Sequence, residues 1–265
     1  MTDLPYYHVD AFADRPFTGN QAAVMPLDAW LDDEVLQAIG EENAFAETAF
    51  IVPDATGQAD YELRWFTPMV EVRMCGHATL ASGHIVLSQN PEMERVTFRT
   101  RKVGLLEVRR DGDGYAVALP SIASQPLEFP EAASAIGGNP VGVFGNPDQY
   151  YLLRYASAAE IISLKPDFKA LAPLGNDLFV ATAPGVETDI ISRVFVPGAG
   201  IDEDAVTGSA HALLAPYWVA ELGRDSFTAY QASARGGHLG FRLDGDRVWL
   251  TGQCFTVVEG RFRLA

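Results

Sequence analysis

Two short segments of the sequence place small and reactive residues directly before an unusually apolar stretch rich in alanine. The first, "MCGHATLASGH", runs from Met74 to His84, and the second, "VTGSAHALLAPYW", runs from Val206 to Trp218. Cysteine, histidine and serine at such places can act as metal ligands, nucleophiles or proton carriers. Each of these chemistries makes its own demand on the surrounding residues.

A metal site and a serine hydrolase both agree poorly with the sequence. Cys75, His77 and His84 are close together, but their spacing matches no recognised ligand pattern and no second cluster of cysteine and histidine lies nearby. Ser209 lies in "TGSAH", which is not the Gly-x-Ser-x-Gly pattern of α/β-hydrolases. We therefore expect no bound metal and no hydrolase triad.

A pair of thiols facing each other could racemise a carbon by giving and taking a proton. Cys75 lies at a helix start, where a thiolate is stabilised, but the second segment contains no cysteine and Cys254 falls in a later strand-like run. A two-thiol mechanism therefore lacks its second thiol. Cys75 is otherwise a small buried residue, and a cysteine-dependent racemase stays an alternative.

The two helix starts offer a binding chemistry of their own. The first N–H groups of a helix have no partners within the helix and lie at the positive end of its dipole. Gly76 and Gly208 let a ligand approach these groups closely. Two such starts meeting at a domain interface would bind carboxylates without lysine or arginine. The alternative is that both glycines only allow turns.

One acidic residue is a candidate general base. Glu47 lies in "AFAETAF", with apolar residues on both sides, and burial would raise its pKa towards the range useful for proton transfer. The alternative is that it lies on the exposed face of an edge strand. Asp204 precedes the second helix and has the alternative role of an N-terminal cap, for which Asp202 and Glu203 compete.

The elements that would position these residues are mostly strands. Alternating or β-rich patterns predict strands over 6–12, 48–53, 61–66, 95–100, 104–110, 115–120, 177–183, 190–197, 227–234, 237–243, 247–252 and 254–260. Asp-Gly pairs predict a hairpin between the fifth and sixth of these. Helices are predicted over 32–44 and after each of the two glycines, the last of them kinked at Pro216.

Each apolar helix follows a strand that ends in a turn containing proline, which predicts two similar halves. The segment 121–148 is rich in proline, glycine and small residues and predicts the crossover between them. We expect an α+β chain with an N-terminal domain over 1–125 and a C-terminal domain over 126–265. This division leaves open that the C-terminal end of the chain packs onto the first domain.

The composition of the chain limits the kinds of molecule that it can bind and indicates where in the cell it is located. The chain has 265 residues, of which 48% are hydrophobic and 20% charged, so it can form a real core. Its formal net charge of -16 disfavours nucleic acid and anionic membranes as partners. The sequence shows neither an apolar run long enough for a membrane span nor a secretory signal. We expect a cytoplasmic protein.

These residues together resemble the phenazine-biosynthesis-like isomerase family (PhzF-like), which has the diaminopimelate epimerase fold. The resemblance runs from end to end and is carried by "VDAFADRPFTGNQAAV", "AETAFIVP", "WFTPMVEVRMCGHATLASGHI" and "VPGAGIDEDAVTGSAHALLAPYW". It implies two similar domains, each a barrel-like β-sheet around a central helix, with the active site in the cleft between them. It implies no metal and no organic cofactor, and it is consistent with a homodimer.

The resemblance also assigns roles to residues. In the phenazine enzyme a glutamate moves a proton along a dihydro-hydroxyanthranilate ring, and that glutamate matches Glu47. The neighbouring catalytic set matches His77, Asp204 and Ser209. The residues assigned to substrate binding are Asn20, Cys75, Gly76, Ala78, Gly208 and Ala210.

The chain departs from the family beside these positions. It has Gln21 where the family often has proline, Ala44–Ala46 where it often has Asn-Leu-Ser, and Ala205 near the position of the second cysteine of diaminopimelate epimerases. We expect a cofactor-independent isomerase or epimerase that shifts a proton on a small carboxylate whose identity is open. A non-catalytic protein that binds a small acid on the same fold is the alternative.

Overall fold

The computed structural model describes residues 2–264, whose contacts form two compact units. The first unit comprises residues up to Leu119 together with those from Thr251 onward, and the second comprises Pro120–Leu250. The second unit is thus inserted into the first along the chain. The division of the chain into domains 1–125 and 126–265 stays a prediction.

The first unit combines nine strands with two helices among the described residues. The strands are β1 Thr2–Ala11, β2 Asn20–Pro26, β3 Glu47–Pro53, β4 Tyr61–Phe66, β5 Glu71–Val72, β6 Arg95–Thr100, β7 Leu105–Asp111, β8 Gly114–Pro120 and β18 Cys254–Leu264, and the helices are α1 Asp33–Asn43 and α2 Gly76–Gln89. Strand β1 pairs antiparallel with β2 on one side and with β18 on the other, where Thr2 lies opposite Leu264. The strand that comes last in the chain is therefore part of the first unit.

The second unit combines nine strands with one long and three short helices among the described residues. Its strands are β9 Gln125–Pro126, β10 Gly142–Gly145, β11 Tyr150–Arg154, β12 Leu178–Pro184, β13 Ile190–Val196, β14 Ile201–Asp204, β15 Ser226–Gln231, β16 Gly237–Asp244 and β17 Arg247–Gly252. Its helices are α3 Pro130–Ile136, α4 Ala158–Ser163, α5 Phe168–Leu171 and α6 Gly208–Leu222, with 3₁₀ turns at Ala172–Leu174 and Pro197–Ala199. The predicted crossover 121–148 thus contains a helix and two short strands.

The order and direction of the strands repeat between the units. In the first, β2 is parallel to β3, β3 is antiparallel to β4, and β4 is parallel to β6. In the second, β11 is parallel to β12, β12 is antiparallel to β13, and β13 is parallel to β15. Helix α2 follows β5 in the chain, and α6 follows β14 in the same way. The predicted pseudo-symmetry is therefore present in the topology.

Each unit is built on an apolar helix. Helix α2 packs against β1, β2, β3, β6, β7 and β18, and every residue from Gly76 to Gly83 is buried. A Cβ atom at Gly83 would lie 2.3 Å from Val108 of β7, so this helix and strand are in closest contact there. Helix α6 packs against β11 and β16 and is buried from Ala210 to Ala215. A helix that is apolar on all sides needs such cover.

A bidentate ion pair ties the strand before each central helix to its neighbour. Arg64 on β4 donates to both carboxylate oxygens of Glu71 on β5, at 2.8 Å each. Arg193 on β13 donates to Glu203 on β14 at 2.7 and 2.8 Å. In both units the carboxylate lies opposite a phenylalanine in the antiparallel register. The pairs fix the segments that lead into α2 and α6.

Most of the predicted elements are present. The helix predicted over 32–44 is α1, and the predicted hairpin joins β7 to β8 with Asp111 opposite Gly114. Helix α6 continues through Pro216 to Leu222, so the proline does not end it. Strands β2, β5, β9, β10, β11 and β14 and the short helices α3, α4 and α5 were missed. Among the described residues, no helix has the length and apolar character that crossing a membrane requires.

Candidate active site

Glu47 and His77 form the centre of the candidate site in the first unit. Glu47 begins β3, and His77 lies in the first turn of α2, a helix that packs against β3. Glu47 Oε2 is 3.2 Å from His77 Nε2. The Glu47 side chain is 17% exposed and that of His77 only 4%. A carboxylate that solvent or a ligand can reach is thus in contact with a buried imidazole.

Three further groups surround the His77 ring. The backbone carbonyl oxygen of Gln21 lies 3.2 Å from His77 Nε2, the ring nitrogen that also contacts Glu47. The Asn20 side-chain nitrogen lies 3.2 Å from His77 Nδ1, and Cys75 Sγ lies 3.4 Å from the same atom. Every polar atom of the imidazole therefore has neighbours that can exchange a proton or a hydrogen bond with it.

Cys75 is the residue immediately before α2 and has an extended backbone with φ -140°. Its carbonyl oxygen accepts a hydrogen bond from the Thr79 hydroxyl, which anchors the start of the helix. Neither Cys75 nor Cys254 is in a disulfide bond. Burial raises the pKa of the Cys254 thiol on β18, so that thiol stays protonated near neutral pH.

The side chains of Glu47, Cys75 and His77 also form a set of potential metal ligands. One ligand atom each of Glu47, Cys75 and His77 lies within 4.8 Å of the other two. Carboxylate, thiolate and imidazole are the ligands that Zn²⁺ accepts. The spacing argument from the sequence missed this set because Glu47 lies far from the other two along the chain. A site without metal stays a prediction.

In the second unit, Asp204 ends β14 and is held by the turn that leads into α6. Its Oδ1 accepts from the Ala205 N–H at 2.9 Å and its Oδ2 from the Thr207 hydroxyl at 2.6 Å. Thr207 is the N-terminal cap position of α6. Asp202 is exposed, and Glu203 is engaged by the arginine of β13. Thr207, and none of the three acids, thus occupies the cap position of α6, and Asp204 lies beside it.

The remaining candidate residues lie in the first turns of the two central helices. Gly76 and Ala78 in α2, and Gly208 and Ala210 in α6, are buried, and Ser209 is half-buried. Each helix thus begins with a glycine and has an alanine two residues later, so these two residues add little side-chain bulk beside its first N–H groups. That the two helix starts serve one cleft stays a prediction.

Two residues of the second unit were missed from the sequence. Gln231, at the end of β15, is fully buried; its side-chain oxygen accepts from Thr207 N–H and its side-chain nitrogen donates to the Asp204 carbonyl, both at 2.9 Å. Ser233 donates to the Ala205 carbonyl at 2.7 Å. A polar residue at the end of a strand is common and does not by itself indicate a functional role. A glutamine within "FTAYQASA" is nevertheless a candidate for a buried residue that makes hydrogen bonds.

Two other histidines are structural. His211 Nδ1 lies 2.7 Å from the Thr207 carbonyl and His211 Nε2 lies 3.2 Å from the Ser192 hydroxyl. Burial lowers the pKa of His211 to about 4. His84 Nε2 lies 2.9 Å from the Thr256 hydroxyl, and burial lowers its pKa to about 4 as well. Both rings are neutral near neutral pH.

Comparisons with known proteins agree with this architecture. The family model "Phenazine biosynthesis-like protein" (PhzC-PhzF) matches residues 9–260. An uncharacterized isomerase of Pseudomonas aeruginosa is 45% identical over 99% of this chain and 99% of its own. A crystal structure of a PhzF-family phenazine biosynthesis protein from Enterococcus faecalis has a TM-score of 0.91 at 37% identity, covering 99% of this chain and 100% of that one.

A more distant structure shows the breadth of the fold. A hydroxyproline epimerase from Agrobacterium vitis has a TM-score of 0.64 at 12% identity, covering 98% of this chain and 92% of that one. The expectation of an α+β fold with two similar halves, each a barrel-like sheet around a central helix, is confirmed. Since both the family model and a named isomerase align along nearly its whole length, the chain belongs to the phenazine biosynthesis-like protein family and is an isomerase with the diaminopimelate epimerase-like fold.

Proposed function

We propose that this isomerase shifts a proton on a small carboxylate substrate, without a cofactor, and that Glu47 is its general acid and base. The observation that carries the proposal is the 3.2 Å contact between Glu47 Oε2 and His77 Nε2 beside the start of α2. The Glu47 carboxylate would take a proton from an acidic C–H and return it at another carbon or on the other face. Proton and charge balance without any redox partner.

The other candidate residues would act around this transfer. His77, Asp204 and Ser209 would orient the substrate or relay the proton. The N–H groups at Gly76–Ala78 and Gly208–Ala210 would hold the carboxylate of the substrate or the negative charge that develops on it. An acidic chain would in this way obtain a locally positive site.

The test is the incorporation of solvent deuterium. Wild type and Glu47→Gln are incubated in D₂O with a panel of cyclic and open-chain amino and hydroxy acids and with dihydro-hydroxyanthranilate, and mass shifts are measured. At least one compound should gain deuterium with wild type, and Glu47→Gln should lower that rate by roughly 10²–10⁴-fold.

Glu42→Gln, at an exposed position of α1, is the matched control and should exchange like wild type. A Glu47→Gln protein with full exchange would overturn the assignment. Binding of a panel compound without exchange by wild type would favour the non-catalytic alternative.

A cysteine-dependent racemase has one observation in its favour, the 3.4 Å contact between Cys75 Sγ and His77 Nδ1. Cys75→Ala distinguishes the two mechanisms, because it should abolish exchange only if the thiol carries the proton. Treatment with EDTA tests the potential ligand set of Glu47, Cys75 and His77. We expect exchange to survive the chelator; a loss that Zn²⁺ restores would establish a metal enzyme.

The family resemblance further supports a homodimer that acts in a biosynthetic step in the cytoplasm. Light scattering during size-exclusion chromatography tests the dimer, and a mass corresponding to one chain would reject it. Detection of the protein in a cytoplasmic fraction tests the location.

A further inference from the structure

We infer that Asn20 is a positioning residue that keeps the hydrogen of His77 on Nε2, the ring nitrogen that bonds the Gln21 carbonyl and contacts Glu47. The inference rests on the proposed function only in that Glu47 is taken as the base. Its evidence is the arrangement of hydrogen-bonding atoms around one ring.

The Gln21 carbonyl decides where the proton lies. This oxygen is 3.2 Å from His77 Nε2, and a backbone carbonyl can only accept a hydrogen bond. The Glu47 carboxylate oxygen is at the same distance from the same nitrogen and is also an acceptor. Two acceptors around Nε2 require that Nε2 carries a hydrogen.

In a neutral ring, Nδ1 must then accept. Its nearest partner is the Asn20 side-chain nitrogen at 3.2 Å, and an amide NH₂ can only donate. With the amide turned the other way, its oxygen would face Nδ1, which would then need a second hydrogen and make the ring a cation. The orientation of the amide and the charge of His77 are therefore coupled.

The position of Asn20 is rigid, as this role requires. The side chain is buried, and Asn20 lies opposite Ala11 in the pairing of β1 with β2. The preceding Gly19 has φ +69°, and a Cβ there would lie 2.3 Å from the Ala11 carbonyl oxygen. Asn20 thus enters β2 from a turn that glycine makes possible.

This geometry has a chemical consequence for the base. An Nε2–H group bonded to the Gln21 carbonyl presents its dipole, and not a full positive charge, to the Glu47 oxygen 3.2 Å from Nε2. A carboxylate beside a neutral ring takes up a proton more readily than one beside a cation, which suits a base that must take and return a proton. Asn20 acts through His77, in place of the substrate contact that the sequence suggested.

The experiment needs no substrate. The five histidines are labelled with ¹⁵N, and long-range ¹H–¹⁵N correlation spectra show which ring nitrogen of each carries a hydrogen. The His77 signals are those lost in His77→Gln. In wild type, the His77 ring should carry a hydrogen on Nε2 and none on Nδ1. A hydrogen on Nδ1 alone, or on both nitrogens, would overturn the inference directly.

Two variants test the part played by Asn20. Asn20→Asp places a carboxylate at Nδ1 and should give a doubly protonated ring, whereas Asn20→Leu should yield a mixture of the two neutral forms. If neither variant changes the His77 signals, Asn20 does not position the proton.

Gln21→Leu is the matched control. The Gln21 side-chain nitrogen lies 3.1 Å from His8 Nε2, while only its backbone contacts His77. The control should therefore alter the His8 signals and leave those of His77 in place.

Deuterium exchange separates this inference from the proposed function. With a substrate in hand, Asn20→Leu should lower kcat at least about 10-fold and displace the pH profile, with little change in KM. If Glu47→Gln keeps full exchange while the spectra are as expected, the proposed function fails and the assignment of Asn20 stands. If Glu47→Gln is inactive while His77 carries its hydrogen on Nδ1, only the assignment of Asn20 fails.

Discussion

Ala44, three residues before the candidate base, has a backbone conformation that alanine rarely adopts. It ends α1 with φ 52° and ψ 25°, in the left-handed region. There the Cβ atom crowds the following carbonyl oxygen at a cost of about 1–2 kcal/mol, which glycine avoids. This chain has alanine where the family often has asparagine, a residue that tolerates the conformation.

Ala44→Gly should therefore raise the free energy of unfolding by about 0.5–1 kcal/mol, because relief of the strain outweighs the added flexibility of the unfolded chain. Urea denaturation measures the change. Ala38→Gly, at an exposed position inside the same helix, should lower stability by about 1 kcal/mol. Loss of stability in both variants would show that Ala44 is not strained.

At this scale the sequence predicts the chemical types better than their contacts. His77 and Cys75 are neighbours in the chain, so their proximity was expected and is observed. The contact of Glu47 with His77 depends on the packing of α2 against β3, and no local pattern encodes it. Whether Asp204 and Ser209 act with them stays a prediction.

At the scale of elements, one buried side chain holds the turn between β14 and α6. Gln231 satisfies the Thr207 N–H and the Asp204 carbonyl with its two polar atoms. A buried backbone group without a partner costs about 1–3 kcal/mol. The turn that orients Asp204 therefore depends on a residue of a different strand.

Gln231→Leu should lower the free energy of unfolding by at least about 2 kcal/mol, because both backbone groups lose their partner. Denaturation by urea is the measurement. Gln58→Leu, at an exposed position, is the control and should change stability by less than about 0.5 kcal/mol. A loss as small as that of the control would mean that the turn holds without Gln231.

Strands with clear alternation were predicted to the residue, as at Tyr61–Phe66, Arg95–Thr100 and Arg247–Gly252. Strands β5 and β14 are too short for any periodicity, and an arginine on the neighbouring strand binds a glutamate in each. Strand β2, Asn20–Pro26, is buried through most of its length and so lacks the alternation that marks a half-exposed strand. These strands are therefore defined by contacts with other elements and not by their own sequence pattern.

At the scale of the whole molecule, each unit contains a histidine that folding keeps neutral. Burial lowers the pKa of His84 and of His211 from 6.5 to about 4. Between these two values the unfolded chain binds more protons than the folded protein, so stability falls as the pH decreases through this window. Each histidine contributes on the order of 3 kcal/mol to that loss.

The free energy of unfolding, measured by urea denaturation from about pH 7 to about pH 4.5, should therefore fall steeply in wild type. His84→Gln and His211→Gln should each flatten this dependence, whatever they do to stability near neutral pH. His238→Gln, at an exposed position, should keep the slope of wild type. If stability depends on pH equally in wild type, His84→Gln and His211→Gln, the buried histidines do not govern the response to acid.

The pairing of β1 with β18 also sets an order of events during synthesis. The partner of Thr2–Ala11 is Cys254–Leu264, which leaves the ribosome only after all of the second unit. The second unit is continuous in the chain and can complete its contacts while β1 still presents an unpaired edge. The half that carries Glu47 and His77 is thus translated first and finished last.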